Sequence, residues 1–389
     1  MTLRWVDNDA DLAELIGDMS VASRIAVDTE FHRERTYYPR LALMQFAWES
    51  SGHQHVALVD PLACDVRTLI DLFQSERLFV FHAAQQDLDV LSHSLGTGPA
   101  SIFDTQLAAG FVGYATPSLA NLVNAELRRS LPKGDRLTDW LRRPLTEAQK
   151  DYAAADVEYL FELTDRLEKS LRERNRLEWA HEACRELRQR KVGPSDPTLA
   201  WTRMKDVRAM RSRTRGVLAA VAEWRERRAM ASDIPPRQVL PDLALQGIAQ
   251  REPRSLADLA QARGVDDRHT RGSIGNEILA AVARGLESPL EFPAVEGDEL
   301  DRRLRPAVTL VSAWLSEVAR REEIDPMLVG TRADIVEFLR DEPEARLAHG
   351  WRFDLVGRDL GALVAGRTGL AFDGHGGLVM FEAPSSSDL

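Results

Sequence analysis

Short apolar runs dominate the first part of the chain, and longer amphipathic patterns dominate the rest. Four segments of six or seven residues are apolar and rich in β-compatible residues, and each predicts a buried strand: IAVDTEF, LALMQFA, HVALVD and LFVFHA. Helical periodicity follows, and a long helix is predicted from about Thr146 to about Leu167, with Thr146 as its N-cap. Strands first and then mainly helices predict a mixed sheet with helices packed on it.

The pattern changes at VGPSDP, residues 192–197, which interrupts a predicted helix. Almost everything beyond it is helical in character, with a Pro- and acid-rich linker near 287–301. The sequence ends in GLAFDGHGGLVMFE, which predicts a small hairpin, and in a polar tail. We therefore expect four units, at residues 1–195, 205–287, 302–371 and 372–389.

Composition narrows the class of protein. The 389 residues exceed one typical core, and 44% hydrophobic with 29% charged residues is typical of globular domains. Cys64 and Cys184 are far apart and form no metal-binding spacing, which favours a reducing compartment. No signal peptide and no apolar run of about 20 residues is evident. We expect a cytoplasmic monomer with no membrane partner.

The net charge of −11 at first argues against a nucleic-acid partner. However, residues 182–228 hold 13 Lys/Arg against 6 Asp/Glu, a local net charge of +7, so the remainder of the chain carries −18. Because phosphate binding depends on local basic surface, this segment keeps nucleic acid open as a partner. A solvated helix face is the equal alternative for these arginines.

Four acidic residues and one tyrosine stand out by their spacing. Asp28 and Glu30 are two apart on a predicted strand and so share a face. Asp87 lies where a buried strand gives way to a helix, and Tyr152 and Asp156 are four apart on a helix and also share a face. Clustered carboxylates repel one another and need cations, and two divalent metals at such a site can cleave a phosphodiester.

These motifs resemble the DEDD superfamily of 3′-to-5′ exonucleases, in which the tyrosine marks the DEDDy branch. The surrounding sequence is similar to that of the ribonuclease D family over about residues 20–190. The similar segments are DTEFHRERTYYPRLALMQ, FDTQLAAGF and LTDWLRRPLTEAQKDYAAADVEYL. The resemblance implies an RNase H-like (DnaQ-like) α/β domain with a mixed five-stranded sheet. Residues 205–287 resemble an HRDC domain, and 302–371 a second, HRDC-like one, so two small all-α domains are expected to follow.

The resemblance also implies roles for the five residues. Asp28, Glu30 and Asp156 would hold the metal that binds the attacking water. Asp28 would bridge to a second metal at the leaving 3′ oxygen, and Asp87 would support that metal, partly through water. Tyr152 would orient the water. All-oxygen ligation favours two Mg²⁺ or Mn²⁺ ions.

Candidate nucleic-acid contacts lie outside this cluster. Tyr37 and Tyr38 follow the catalytic strand and could stack a terminal base, with core packing an equal alternative for one of them. Lys133 and Arg136 lie in a loop that the resemblance places close to the site. In residues 205–287, the segment that resembles an HRDC domain, eight arginines could bind the RNA backbone: Arg208, Arg211, Arg213, Arg215, Arg225, Arg227, Arg228 and Arg237.

Together these features predict a 3′-to-5′ exoribonuclease that trims RNA with a free 3′ end, such as tRNA precursors, and releases nucleoside 5′-monophosphates. A DNA exonuclease and a non-catalytic RNA-binding protein on the same fold remain alternatives. The choice of RNA rather than DNA as the expected substrate rests on the resemblance, because no residue in the sequence can be recognised as one that detects a 2′-hydroxyl. A helicase is disfavoured, since the chain has no GxxxxGK[ST] loop.

Overall fold

The first part of the chain folds around one mixed sheet. The computed structural model describes residues 2–132, 138–190, 193, 196–290 and 304–383. Six strands lie in the order β1-β4-β3-β2-β5-β6. Only β3 runs antiparallel to its neighbours. The strands are Thr2–Val6 (β1), Arg24–His32 (β2), Arg40–Ser50 (β3), His53–Val59 (β4), Leu78–Phe81 (β5) and Ile102–Asp104 (β6).

The mixed sheet was predicted correctly, but the expected number of five strands was wrong. The two outer strands, β1 and β6, have the weakest sequence signals. β1 is TLRWV, an edge strand with an arginine at its centre, and β6 is only IFD. Neither presents the run of apolar residues that identifies the central strands.

Eight helices accompany this sheet among the described residues: Asp9–Met19 (α1), Ile70–Phe73 (α2), Gln85–Leu95 (α3), Thr105–Gly110 (α4), Leu119–Leu127 (α5), Glu147–Glu158 (α6), Leu160–Glu173 (α7) and Leu177–Gln189 (α8). Thr146 caps α6 in a capping box with Gln149. The single helix predicted from Thr146 to Leu167 is in fact two, because Tyr159 leaves helical geometry at φ −104° and ψ 2°.

Strand β2 is buried on both faces, which determines where its polar residues point. Ile25 and Val27 belong to the core on the α1 and α3 side, whereas Ala26 belongs to the core on the opposite side. Because side chains alternate along a strand, Asp28 continues the Ala26 face and Thr29 continues the Val27 face. Strand β2 therefore presents different chemistry to each side of the sheet.

A small helical domain follows, built on its own apolar core. Its helices are Ser212–Ser232 (α9), Pro236–Val239 (α10), Asp242–Arg251 (α11), Leu256–Leu259 (α12), Asp267–Thr270 (α13) and Gly272–Glu287 (α14). Helix α9 is the longest and packs along α14. Gly216 of α9 and Gly285 of α14 permit this contact, since a Cβ on either would meet the other helix's backbone at about 2.5 Å.

The last helices pack on the sheet domain rather than standing apart. They are Arg305–Glu322 (α15), Pro326–Val329 (α16), Arg332–Leu339 (α17), Gly350–Arg352 (α18) and Arg358–Val364 (α19). Trp351 stacks on Trp179 of α8 with ring centroids 4.9 Å apart and meets Phe111 edge-on. One apolar core is therefore shared between the two regions.

The predicted hairpin forms as β7 (Thr368–Phe372) and β8 (Leu378–Glu382). Most of the predicted polar tail, residues 384–389, lies outside the described part of the chain. Among the described helices, none combines the length and the apolarity needed to cross a membrane.

Candidate active site

Three carboxylates converge on one side of the sheet. Asp28 and Glu30 leave β2 on the same face, and Asp156 faces them from α6. One carboxylate oxygen from each lies within 4.8 Å of the others. That separation suits a single divalent cation between them, because every available donor is a hard oxygen.

The slim helix α6 makes this approach possible. Ala153, Ala154 and Ala155 are buried, and the helix packs against β2, β3 and β4. Tyr152 begins this run, and its ring stacks on Trp140 at a centroid distance of 6.1 Å. Alanines in place of larger residues bring the helix backbone, and with it Asp156, close to the strands.

An open cavity of about 990 Å³ gives access to these groups. Glu30, Tyr152 and Asp156 line it, together with residues of the loop after β2 and of α5. Its size is that of a site for one or two nucleotides rather than for a single ion. Four of the five predicted active residues thus face or adjoin one cleft: Asp28, Glu30, Tyr152 and Asp156.

Asp87, the fifth, occupies a different position. It is buried in the first turn of α3 and accepts hydrogen bonds from the amide (3.1 Å) and the hydroxyl (2.5 Å) of Thr29. It is not one of the three converging carboxylates, yet its charge raises the pKa of Asp28, Glu30 and Asp156. Thr29 was missed by sequence reasoning, although it is the middle residue of Asp-Thr-Glu.

Burial and mutual repulsion make this cluster hard to ionise. Burial, followed by the charges of Asp87, Asp156 and Glu30, raises the pKa of Asp28 well above its ordinary value. Burial is also the main cause that raises the pKa of Glu30 to about 8 and those of Asp87 and Asp156 to about 7. A divalent cation would replace the missing counter-charge, so the donor set and its electrostatics fit such an ion.

Asp104 holds the turn that leads to Asp87. Its carboxylate accepts hydrogen bonds from the amides of Ala83 (3.0 Å) and Ala84 (2.9 Å), just before α3. It also caps α4 by accepting from the Gln106 amide at 2.8 Å. One buried carboxylate therefore fixes both the turn into α3, the helix that carries Asp87, and the start of α4.

The predicted base-stacking residues have other partners. The Tyr37 hydroxyl donates to Glu226 of α9 at 2.7 Å, and the Tyr38 ring stacks on His93 at 4.4 Å. Neither tyrosine lines the cavity that contains Glu30. The Tyr37 side chain thus joins the sheet domain to the small helical domain, and the Tyr38 ring packs on α3 within the sheet domain. These protein partners outside the cavity argue against the predicted stacking of a terminal base there.

The other predicted RNA contacts divide into several groups. Lys133 and Arg136 lie outside the described residues. Arg215 and Arg225 are buried in the helical domain, where they donate to main-chain carbonyls. Their burial argues against the predicted phosphate contact, since a buried guanidinium cannot reach RNA.

The remaining predicted arginines lie on the solvent-facing side of the small helical domain. Four of them form ion pairs: Arg213 with Glu252, Arg227 with Glu223, Arg228 with Glu277 and Arg237 with Asp242. Arg208 and Arg211 are exposed. RNA contact by these six stays a prediction.

Comparison with known proteins agrees with this geometry. A 3′-5′ exonuclease family model matches residues 3–172, and an HRDC domain model matches 214–282. Ribonuclease D of Jannaschia sp. (strain CCS1) is 35% identical over 376 residues, covering 94% of this chain and 96% of the relative. The solved structure of Escherichia coli RNase D has a TM-score of 0.84 at 30% identity and covers 94% of this chain and 99% of that one.

A mixed sheet with carboxylates converging beside a helical Tyr-x-x-x-Asp defines an RNase H-like 3′-5′ exonuclease, a class that depends on divalent metal ions. The HRDC match, and the similarity to ribonuclease D along nearly the whole length of the chain, narrow this class to one family. The chain belongs to the ribonuclease D family and is a hydrolytic 3′-5′ exoribonuclease. The HRDC match ends at residue 282, so a second HRDC-like domain at 302–371 stays a prediction.

Proposed function

We propose that the chain removes nucleotides singly from the free 3′ end of RNA, using two Mg²⁺ or Mn²⁺ ions. The observation that carries the proposal is the convergence of Asp28, Glu30 and Asp156 within 4.8 Å at the wall of a nucleotide-sized cavity. Phosphodiester hydrolysis is the chemistry for which such a carboxylate cluster is suited.

Each residue has a distinct task in this proposal. Asp28, Glu30 and Asp156 would hold one cation, and Asp28 with Asp87 would hold the second, with Asp87 acting partly through water. Once bound, the cations would acidify the attacking water and neutralise the charge that develops on the phosphate. Tyr152 would hydrogen-bond to that water and orient it.

Bond changes follow from this arrangement. The water oxygen forms a bond to phosphorus, and the bond from phosphorus to the 3′ oxygen of the preceding nucleotide breaks. That oxygen takes a proton, so the product is a nucleoside 5′-monophosphate and the RNA keeps a new 3′-hydroxyl. The same site can then act on the next nucleotide.

RNA with structured ends, such as tRNA precursors, is the proposed natural substrate. The related Escherichia coli protein is described as an exoribonuclease involved in structured RNA processing. A monomer located in the cytoplasm is part of the proposal. Its domains would be the exonuclease domain at 1–195, the HRDC domain at 205–287, the HRDC-like domain at 302–371, and the hairpin and tail at 372–389.

End-labelled substrates test the proposal. The chain is incubated with RNA and matching single-stranded DNA, each labelled at its 3′ or 5′ end, with Mg²⁺, Mn²⁺ or a chelator. We expect metal-dependent release of labelled mononucleotide from 3′-labelled RNA and a ladder of shortened products from 5′-labelled RNA. Asp28→Ala should abolish both.

Other outcomes would favour the alternatives. Equal or faster loss of single-stranded DNA would indicate a DNA exonuclease. RNA binding with no release from either polymer would indicate a non-catalytic RNA-binding protein.

A further inference from the structure

The loop after the catalytic strand places two arginines at the active-site cavity. Arg33 and Arg35 both line the cavity that contains Glu30 and Asp156. Arg33 is neutralised by Asp89, whose carboxylate lies 2.8 Å from its guanidinium. The two arginines therefore stand two residues apart in the same wall, and one of them already has a protein partner.

Arg35 differs from Arg33 in having no such partner. Its side chain is exposed, and no ion pair or hydrogen bond joins it to any residue that the structure describes. Most arginines of the HRDC domain and its flanks are paired, as Arg203 is with Glu226 and Arg213 with Glu252. A planar cation left unpaired beside a carboxylate-lined nucleotide site suits a phosphate, which a guanidinium can bind through two parallel hydrogen bonds.

The HRDC domain anchors this loop only two residues further on. One carboxylate oxygen of Asp233 accepts hydrogen bonds from the amides of both Tyr37 and Tyr38, each at 3.1 Å. Asp233 is the C-cap residue directly after α9, and it adopts the left-handed conformation there, with φ 47°. The end of one domain's longest helix thus fixes the backbone of the loop after β2 in the other domain.

Two further contacts stabilise the same part of the loop, around Tyr37 and Tyr38. The Tyr37 hydroxyl donates to Glu226, a buried residue of α9, and Arg203 pairs with that carboxylate at 3.0 Å. Within the loop, the Thr36 hydroxyl donates to the Tyr38 carbonyl at 2.6 Å. The loop is therefore held on the side away from the cavity, while Arg35 remains on the cavity side.

We propose that Arg35 binds a backbone phosphate of the RNA in the active-site cavity and that Asp233 of the HRDC domain is a positioning residue for it. Arg35 would contact the substrate directly. Asp233 would act through the Tyr37 and Tyr38 amides by limiting the positions that the loop can adopt. The inference rests on the proposed function of the same cavity, and it gives the HRDC domain a role in substrate binding that does not depend on its own arginines touching the RNA.

A binding experiment tests the first part. A 5′-fluorescein-labelled 12-nucleotide oligoadenylate with a free 3′ end is titrated in the Asp28→Ala background over a range of NaCl concentrations. Arg35→Ala should weaken binding about fivefold or more and reduce the slope of log affinity against log salt by about 0.7, the loss of one single-strand phosphate contact. The matched control is Arg40→Ala, an exposed arginine outside this cavity, which should leave both values unchanged.

Steady-state kinetics test the second part in the active chain. Asp233→Gly removes the acceptor oxygen but keeps a residue that favours the left-handed conformation, so the end of α9 should be preserved. We expect it to raise KM severalfold with kcat changed less than about twofold. Asp233→Asn keeps both an acceptor oxygen and that conformational preference, and it should restore the KM of the unaltered chain.

A double variant separates positioning from a general structural effect. If Asp233 acts through Arg35, Asp233→Gly should raise KM little further when Arg35→Ala is already present. The inference is overturned if Arg35→Ala behaves like Arg40→Ala, or if the two effects multiply in full. Cleavage of the same RNA by the unaltered chain is the separate check: its absence would count against the proposed function, not against this inference alone.

Discussion

Thr29 holds Asp87 by two hydrogen bonds, one from its amide at 3.1 Å and one from its hydroxyl at 2.5 Å. Thr29 itself stands between Asp28 and Glu30 on β2. The residue that separates two of the converging carboxylates therefore fixes the position of the fourth acid. This link accounts for a polar residue on the face of β2 that otherwise packs into an apolar core.

Thr29→Val tests this link. Valine keeps the shape and the amide but removes the hydroxyl, so Asp87 loses a buried hydrogen-bond donor. We expect kcat to fall about tenfold, equivalent to about 1.4 kcal/mol. Thr29→Ser, which keeps the hydroxyl, should stay within about threefold of the unaltered chain. Equal activity of the two variants in a mononucleotide-release assay would show that the hydroxyl is not needed.

Tyr152→Phe tests the role of the tyrosine hydroxyl. Without it the attacking water loses an orienting partner, and turnover should slow by about 10²-fold or more. Binding of Mn²⁺, measured by calorimetry, should be unchanged because the three converging carboxylates remain. Tyr159→Phe, a tyrosine of the same helical segment outside the cavity, is the matched control. A fully active Tyr152→Phe variant would disprove the assigned role.

The acidic cluster should make metal-free stability depend on pH. Burial and repulsion raise the folded-state pKa values of Glu30 to about 8 and of Asp156 to about 7, from ordinary values of 4.5 and 3.8. From about pH 4 to pH 8 the folded chain then holds protons that the unfolded chain has lost, so the cluster's contribution to stability falls as pH rises.

Urea denaturation at pH 5 and pH 8 in the presence of a chelator measures this effect. Glu30→Gln, which cannot ionise, should gain stability relative to the unaltered chain at pH 8 more than at pH 5. Added Mg²⁺ should stabilise the unaltered chain most at pH 8, where the carboxylates are free to bind it. A difference between variants that is the same at both pH values would contradict the pKa shift assigned to Glu30.

Arg225 and Arg227 should behave differently although they are two residues apart on α9. Arg225 is buried and donates to the Leu240 carbonyl and to Asp242, whereas Arg227 is exposed and pairs with Glu223. Arg225→Ala should destabilise the HRDC domain by about 2 kcal/mol, because a buried carbonyl loses its donor. Arg227→Ala should cost less than about 0.5 kcal/mol.

Hydrogen exchange of the α9 amides in the full chain gives the readout for this pair. Faster exchange by about thirtyfold is expected in Arg225→Ala and almost none in Arg227→Ala. Similar protection in both variants would mean that Arg225 is not the structural residue that its burial indicates.

Shared faces of the site residues could be predicted from the sequence where local spacing determines them. The i, i+2 positions of Asp28 and Glu30 on a strand, and the i, i+4 positions of Tyr152 and Asp156 on a helix, give shared faces in any fold. The central strands and the Thr146 cap were likewise predictable, because burial on both faces and capping leave local signatures.

Contacts between distant segments could not be predicted in this way. Tyr37 and Tyr38 have the composition of a base-stacking pair, but the Tyr37 hydroxyl donates to Glu226 on α9, 189 residues away, and the amides of both residues donate to Asp233, directly after that helix. The burial of Arg225 depends on how α10 and α11 fold over α9, which charge counting along the chain does not detect. Edge strands and a three-residue strand also lack the apolar runs on which strand prediction depends.

The most direct test of the account is to locate the metal. A crystal soaked in Mn²⁺ would be measured at a wavelength where manganese scatters anomalously. We predict an anomalous difference peak between the carboxylates of Asp28, Glu30 and Asp156, at a metal–oxygen distance of roughly 2.0–2.3 Å, and its loss in Asp28→Ala. Mn²⁺ bound elsewhere, with no peak among these three side chains in an active enzyme, would contradict the central claim.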